Sequence, residues 1–174
     1  AQRLREIDEF LGQAGQIGDL LDSINDNTNN INLLAKIGYS VKLPPYNAIG
    51  DGQSHKLTER FSSQEEAVAA YPFLSSWLAS NPSVSWDTLE IDFCAIQQCL
   101  NDINNVFIPY GTFITNQTIV RDHAQMHGVG RTRSKIVCTD QTKPVFITGG
   151  VPNVSDLYFG HQSIPDTSQV VPNG

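Results

Sequence analysis

Apolar residues in the first part of the chain recur at alternating steps of three and four: Leu4, Ile7, Leu11 and Ala14, then Ile17, Leu20, Ile24, Ile31 and Leu34, with Asn27 in the one polar place of the second set. That is the period of about 3.5 residues that defines a coiled-coil seam, alternate members occupying the a and d positions. The step from Ala14 to Ile17 is three where four is due, so the register shifts there, close to Gly12, Gly15 and Gly18. Each glycine costs about 1 kcal/mol relative to alanine in a helix interior. The pattern therefore predicts two helical pieces with a bend or break between them. The alternative is an amphipathic helix packed on its own domain. No helical partner of comparable length appears downstream, which favours self-association.

After Gly38 the pattern changes. In "YSVKLPPYNAIGDG", Pro44 and Pro45 forbid helix and Gly50 to Gly52 mark a tight turn, so the chain reverses. "FSSQEEAVAAYPFL" offers Ser62 as an N-cap with Glu65 three residues on, and Tyr71-Pro72 as a stop, predicting a short helix over 63–70. "EIDFCAIQQCLNDI" carries Phe93, Ile96, Leu100 and Ile103 on one face, with Asp92 as an N-terminal charge, and predicts a helix over 92–101. The intervening "LSSWLASNPSVSW" is polar and broken by proline, and is expected to be loop. From Val106 onward come short runs, "VFI", "TFIT", "QTIV", "QMHGV", "SKIVC", "PVFIT" and "SDLYF", each ended by Gly, Pro, Asn or Asp. Such runs suit an all-β unit. The interval of some twenty residues from Ile136-Val137-Cys138 to Leu157-Tyr158-Phe159 favours the coils of a solenoid over a sandwich.

On the heptad register Ile24 is at a, Asn27 at d, Thr28 at e and Ile31 at the next a. A buried amide in a lone helix forfeits hydrogen bonds worth a few kcal/mol, so Asn27 needs partners, and copies around a symmetry axis supply them. The sequence isoleucine-x-x-asparagine-threonine, here Ile24 to Thr28, resembles the motif of trimeric coiled coils in bacterial adhesins and phage fibres. The resemblance implies a ring of Asn27 side chains holding an axial anion such as chloride, with Ile17, Leu20, Ile24, Ile31 and Leu34 as the trimer seam. The alternative is a register-fixing polar residue without an ion.

Composition narrows the partners. The 174 residues are 40% hydrophobic and 9% aromatic, which marks a folded chain. A formal charge of −7 opposes nonspecific binding to nucleic acid or anionic membrane. The small basic group Arg131, Arg133 and Lys135 is expected to be solvated surface without a role. No apolar run approaches the roughly 20 residues of a membrane span. Three cysteines are an odd number, and Cys94, Cys99 and Cys138 are expected to be buried and unbridged.

Four local signatures in fixed order, "YNAIGDG", "IDFCAIQQCLND", "VFIPYGTFIT" and "MHGVGRTRSKIV", together resemble the opening module of pectate-lyase-like right-handed parallel β-helices, over roughly residues 46–160. In that family a helix caps the open end of the solenoid, and here Phe93, Ile96 and Leu100 are expected to cover it. A trimeric stalk ahead of this module makes the chain similar to phage tailspikes and tail appendage proteins. The implied architecture is an N-terminal trimeric α-helical coiled coil (1–38), a linker and helical cap (39–105), and the first coils of a right-handed parallel β-helix (106–174) that is expected to continue further. The implied function is a homotrimer on the virion tail or neck. Its N-terminus docks to a virion connector protein, and it carries binding or degradation of host cell-surface polysaccharide in the part beyond these residues. A secreted pectate-lyase-like lyase or glycoside hydrolase, and a bacterial trimeric adhesin, are the alternatives.

Catalytic groups are harder to find. Glycoside hydrolysis uses paired carboxylates about 5 to 9.5 Å apart, but Asp122, Asp140, Asp156 and Asp166 are scattered through turn-like contexts. No catalytic residue is identified, and activity in a longer chain stays open. His123 and His127 are four apart, yet on a strand such residues lie about 13 Å apart and do not chelate one metal. The glycine pairs at 50–52 and 128–130 lack the Lys-Ser/Thr of a phosphate loop and are expected to be turns.

Overall fold

The computed structural model describes residues 38–150 and 152–162. The seam residues Ile17, Leu20, Ile24, Asn27, Ile31 and Leu34, together with Asp166, lie outside the described residues. The described chain begins with a two-residue strand, β1 (Tyr39–Ser40), and reverses through 41–46. A helical excursion follows: a 3₁₀ turn at Leu57–Glu59, α1 (Gln64–Ala70), α2 (Phe73–Ser80), a second 3₁₀ turn at Trp86–Thr88, and α3 (Ile91–Asp102). Then come β2 (Asn105–Phe107), β3 (Gly111–Thr115), β4 (Ile119–Val120), β5 (Gln125–His127), β6 (Ser134–Cys138), β7 (Phe146–Ile147), β8 (Asn153–Ser155) and β9 (Tyr158–His161).

Every pairing between these strands is parallel, in three sheets ordered β1-β2-β5-β8, β3-β6-β9 and β4-β7. Each sheet is one side of a solenoid, and the sandwich alternative is excluded because it requires antiparallel neighbours. Register stacks like on like: Val106 on Met126 on Val154, Phe113 on Ile136 on Phe159, Ile119 on Phe146. These inward residues are fully buried through Val106, Met126, Phe113, Ile136 and Ile119, but only half-buried at Val154, Phe159 and Phe146. The Phe146 and Phe159 rings stack there at 5.5 Å.

A starting coil has neighbours on one side only, and its other side presents rows of N–H and C=O groups that need partners. Each row is met differently. β1 pairs with β2, and Val41 N–H extends that ladder to the Phe107 carbonyl at 3.2 Å. Along β3, the glycine turn acts as a strand: Thr112 N–H donates to Gly50 O at 3.1 Å and Gly52 N–H to Thr112 O at 2.9 Å. Next along β3, Ile114 N–H donates to Asp92 Oδ2 at 3.0 Å. Along β4, the Gln97 amide donates to Val120 O and accepts from Val120 N–H, both at 2.9 Å, as a peptide of a neighbouring strand would.

The cap helix α3 is therefore buried all round from Ile91 to Leu100, polar residues included, rather than along one apolar face. Asp92 also accepts from Ile49 N–H at 2.6 Å and from Gly50 N–H. Glu90 accepts from Ser54 Oγ at 2.7 Å, His55 N–H at 2.9 Å and the Lys56 ammonium. Both acids sit at the helix start, where its dipole favours negative charge. On the outer side of α3, Phe73 and Trp77 pack on Phe93 with ring centroids 6.0 and 5.5 Å away.

Two local expectations are corrected. The segment expected to be loop contains α2, because Phe73, Leu74, Trp77 and Leu78 recur at helical spacing and bury against α3, while Pro72 occupies the N-cap without interrupting a hydrogen bond. The N-cap of α1 is Ser63, not Ser62: Glu66 N–H donates to Ser63 Oγ, and Ser62 instead donates its N–H and O–H to the Glu66 carboxylate at 2.8 and 2.9 Å. The doubled "SS" and "EE" satisfy either register locally, and burial of Ala67 and Tyr71 selects this one. Tyr39 and Ser40 pair into the first sheet. Cys94, Cys99 and Cys138 are buried and unbridged as expected.

Two outcomes follow from the cap. At Gly50, φ is +64° and a Cβ would lie 2.6 Å from the buried Phe113 ring, so Gly50→Ala should cost about 2–4 kcal/mol in chemical denaturation. Burial pushes the Asp92 carboxyl up from 3.8 to about 6, against the backbone N–H groups of Ile49, Ile114 and Gly50, which pull it down. The folded chain thus holds this proton more tightly than the unfolded chain does. The resulting stability is complete below about pH 4 and is lost as pH rises through about 6. Measured against Asp92→Asn, wild-type stability should decline by roughly 3 kcal/mol between about pH 4 and pH 7.

Candidate functional site

The strand alternation that buries Phe113, Ile136 and Phe159 turns their neighbours outward. Thr112, Lys135 and Tyr158 form a row across the β3-β6-β9 sheet, one above another in register. Neighbouring strands are about 4.8 Å apart, so the row spans roughly 10 Å. Arg131 and Thr132, from the turn before β6, and His161 and Gln162, at the end of β9, complete a groove of about 440 Å³. His161 Nε2 lies 2.9 Å from the Lys143 carbonyl oxygen, which ties its ring to the preceding turn.

Tyr158 is 45% exposed although it sits in a strand. Its ring lies over Gly160: a Cβ there would be 2.4 Å from the ring atoms Cε1 and Oη. Gly160 is thus the small residue over which the ring lies. Neither Arg131 nor Lys135 has an ion-pair partner among the described residues, and no carboxylate lines the groove.

The row continues past Thr112 to Asp51, which bridges to it in parallel. Asp51 Oδ2 lies 3.0 Å from His55 Nε2, and Glu59 Oε2 lies 2.7 Å from His55 Nδ1, so the imidazole is clamped between two carboxylates on the surface. The Glu59 carboxylate first, and Asp51 second, raise His55 above its ordinary value. Glu59 and Asp51 are lowered in turn.

The described aspartates expected in turns are in turns. Asp140 accepts from Thr142 N–H and Oγ1 at 3.0 and 2.6 Å and pairs with Lys143. Asp156 has φ +56°, and Asp122 accepts from Gly149 N–H at 2.6 Å. His123 occupies a left-handed turn position, whereas His127 is in β5 with Nδ1 3.0 Å from Ser155 Oγ. Gly128 and Gly130 form a turn whose N–H groups donate to Ser155 and Asp156 carbonyls of the next coil.

The structure brings together what the charge pattern left without a role. Arg131 and Lys135 share the groove, whereas Arg133 is exposed outside it and contributes its carbonyl to Gly111 N–H at 2.9 Å. The available signal was alternation: Lys135 lies between buried Ser134 and Ile136, and Tyr158 between Leu157 and Phe159, so each faces out. That these two outward residues are neighbours depends on coil register, which no local pattern carries.

No family profile matches the chain, and no curated protein matches it. Among solved structures it is similar to the tailspike protein gp49 of Pseudomonas phage LKA1, at 28% identity and a TM-score of 0.49, over 66% of this chain and 17% of that one. It is also similar to the tailspike gp61 of Pseudomonas phage phi297, at 29% identity and a TM-score of 0.46, over 56% of this chain and 14% of that one. The chain spans less than a fifth of either protein's length. No helix among the described residues is long and apolar enough to cross a membrane.

The clamp at the end of the row has a measurable signature. His55 gains its carboxylate partners on folding, so its contribution to stability is complete below its ordinary value of 6.5 and is lost as pH rises through the raised one. NMR titration of the imidazole should place its midpoint above 6.5, and Glu59→Gln should bring it down.

Proposed function

We propose that this chain is the N-terminal stalk and capped first coils of a trimeric phage tail appendage, mounting recognition or degradation of host cell-surface polysaccharide on the virion. Residues 1–38 form the coiled-coil stalk, 39–105 the linker and cap, and 106–174 the opening coils of a right-handed β-helix. The stalk docks to a tail or neck connector protein. Its seam is Ile17, Leu20, Ile24, Ile31 and Leu34, with Asn27 ringing the axis around an anion such as chloride.

The observation that carries this reading is the asymmetry of the solenoid. Its first coil is sealed by β1, the glycine turn, Asp92 and Gln97. Among the described residues, the opposite edge presents half-buried Val154 and Phe159 on β8 and β9. A sealed end directly after a heptad-patterned segment suits a part that starts a β-helix and holds it to something else. Asn27 at a d position supports self-association, because symmetry-related copies satisfy an amide that a lone helix leaves without partners.

Light scattering at micromolar concentration should report a mass of three chains; a monomer there would overturn the reading. Asn27→Ile should raise the melting temperature of the trimer and abolish its axial anion, since an apolar layer outcompetes a buried polar one in stability. An unchanged melting temperature together with unchanged anion density would exclude the Asn27 assignment.

A further inference from the structure

We propose that the corner of the solenoid between the β1-β2-β5-β8 and β3-β6-β9 sheets is a docking surface for an acidic segment of a partner protein, one that carries apolar side chains among its carboxylates. The proposed function assigns docking to the stalk, so this corner is a second and separate point of attachment. Each coil passes the corner through a short turn: 108–110 from β2 to β3, 128–133 from β5 to β6 and 156–157 from β8 to β9, with the turn after β1 at 41–46 in line before them. Hydrogen bonds hold the four turns in one column. Lys42 Nζ donates to Tyr110 O at 3.1 Å, Ser134 Oγ to Pro109 O at 3.2 Å, Gly111 N–H to Arg133 O at 2.9 Å and Gly130 N–H to Asp156 O at 3.0 Å. At about 4.8 Å per coil the column is roughly 14 Å tall, the length of about four or five residues of extended chain.

Apolar exposure is concentrated on this column. Leu43, Tyr110 and Val129 are 47%, 72% and 42% exposed, and they are three of the six large apolar side chains so exposed among the described residues. Scattered singly, such side chains need no account, but gathered along one edge they mark a contact surface. The backbone beneath them is fixed by the bonds just described, so a partner that settles there orders little of this chain.

Charge selects the partner. Exposed Arg131 and Arg133 lie in the same turn as Val129 and have no ion-pair partner among the described residues, and Lys42 adds a third cation. Asp156 is the one carboxylate on these four turns, so the column carries an excess of positive charge in a chain of formal −7. An acidic segment is drawn to it and finds apolar side chains to rest on. Tyrosine and arginine are also the residues that most often supply binding energy at protein interfaces. A nucleic acid or an acidic polysaccharide meets the same cations but leaves Leu43 and Val129 without apolar partners, and the overall charge repels a long polyanion. Screening keeps each exposed ion pair weak, so affinity requires the apolar and charged contacts together.

The test uses the full chain and a fluorescein-labelled peptide of alternating glutamate and leucine with one central phenylalanine, read by fluorescence anisotropy at low and moderate salt. Matched peptides carry glutamine or lysine in place of glutamate. The glutamate peptide should bind with an affinity that falls as salt rises, and the glutamine peptide should bind about tenfold more weakly or less. Arg131→Glu with Arg133→Glu should abolish binding of the glutamate peptide and admit the lysine peptide instead, an exchange that loss of folding does not produce. Tyr110→Ala should weaken binding about fivefold or more, whereas Tyr110→Phe should retain it. All three side chains are exposed, and thermal melting of the variants checks that the fold is intact. Absent binding of the glutamate peptide, equal binding of the glutamine peptide, or unchanged affinity in the double variant would each overturn the proposal. So would displacement of the labelled peptide by hexagalacturonate or oligothymidylate at lower concentration than by unlabelled glutamate peptide.

Discussion

The first coil of a parallel solenoid has backbone groups on one side that no following coil reaches, and the rest of this structure is arranged around meeting them. Hydrogen bonds in a parallel ladder point along the stacking direction, so the bare edge lies at one end of the solenoid instead of along its flank. The interior of a helix has no spare backbone donors with which to close such an edge, but its side chains can do so. Asp92 and Gln97 fill that part, and their position on α3 requires the helix to lie across the coil with its polar residues facing inward. Glu90, one residue before the helix, draws in the loop at 54–56 and closes the same end from outside.

This arrangement explains the otherwise odd burial of α3. A helix with Asp, Gln and Gln buried among Phe93, Ile96 and Leu100 is costly unless each polar group is satisfied. Here the cap residues and the coil edge supply one another's hydrogen bonds, which offsets part of both desolvation costs, although at Asp92 burial still outweighs them. Gln98 adds a similar link on the opposite side, accepting from Phe73 N–H at 3.0 Å and donating to Asp102 at 2.8 Å, which fixes the start of α2. The inward stack of Phe113 and Ile136 is then continuous with Phe93 and its aromatic neighbours, and cap and coils share one core.

With the interior and one end committed to packing, the flat outer faces of the sheets are the surfaces left to differ. On the β3-β6-β9 face, coil stacking converts residues far apart in sequence into a row, with a cation beside a ring that lies flat on glycine. The same stacking joins Asp51 to that row and so places the His55 clamp at its end. Neither arrangement requires any change in the core, which separates what holds the fold from what the surface presents.

The helix over 91–102, the seven expected runs within the β region and the solenoid spacing were legible in the amino-acid order, because helical period, strand alternation and turn residues act over a few positions. The heptad pattern around Asn27 is legible for the same reason. β8 and α2 were not: "NVS" is too short and polar to signal a strand, and the serines of α2 hide an apolar spacing that matters only once α3 is beside it. The roles of Asp92 and Gln97, and the meeting of Lys135 with Tyr158, were decided by tertiary structure alone. Both depend on which residue of one coil lies over which residue of the next, and loop length and core stacking set that register after the local pattern has had its effect.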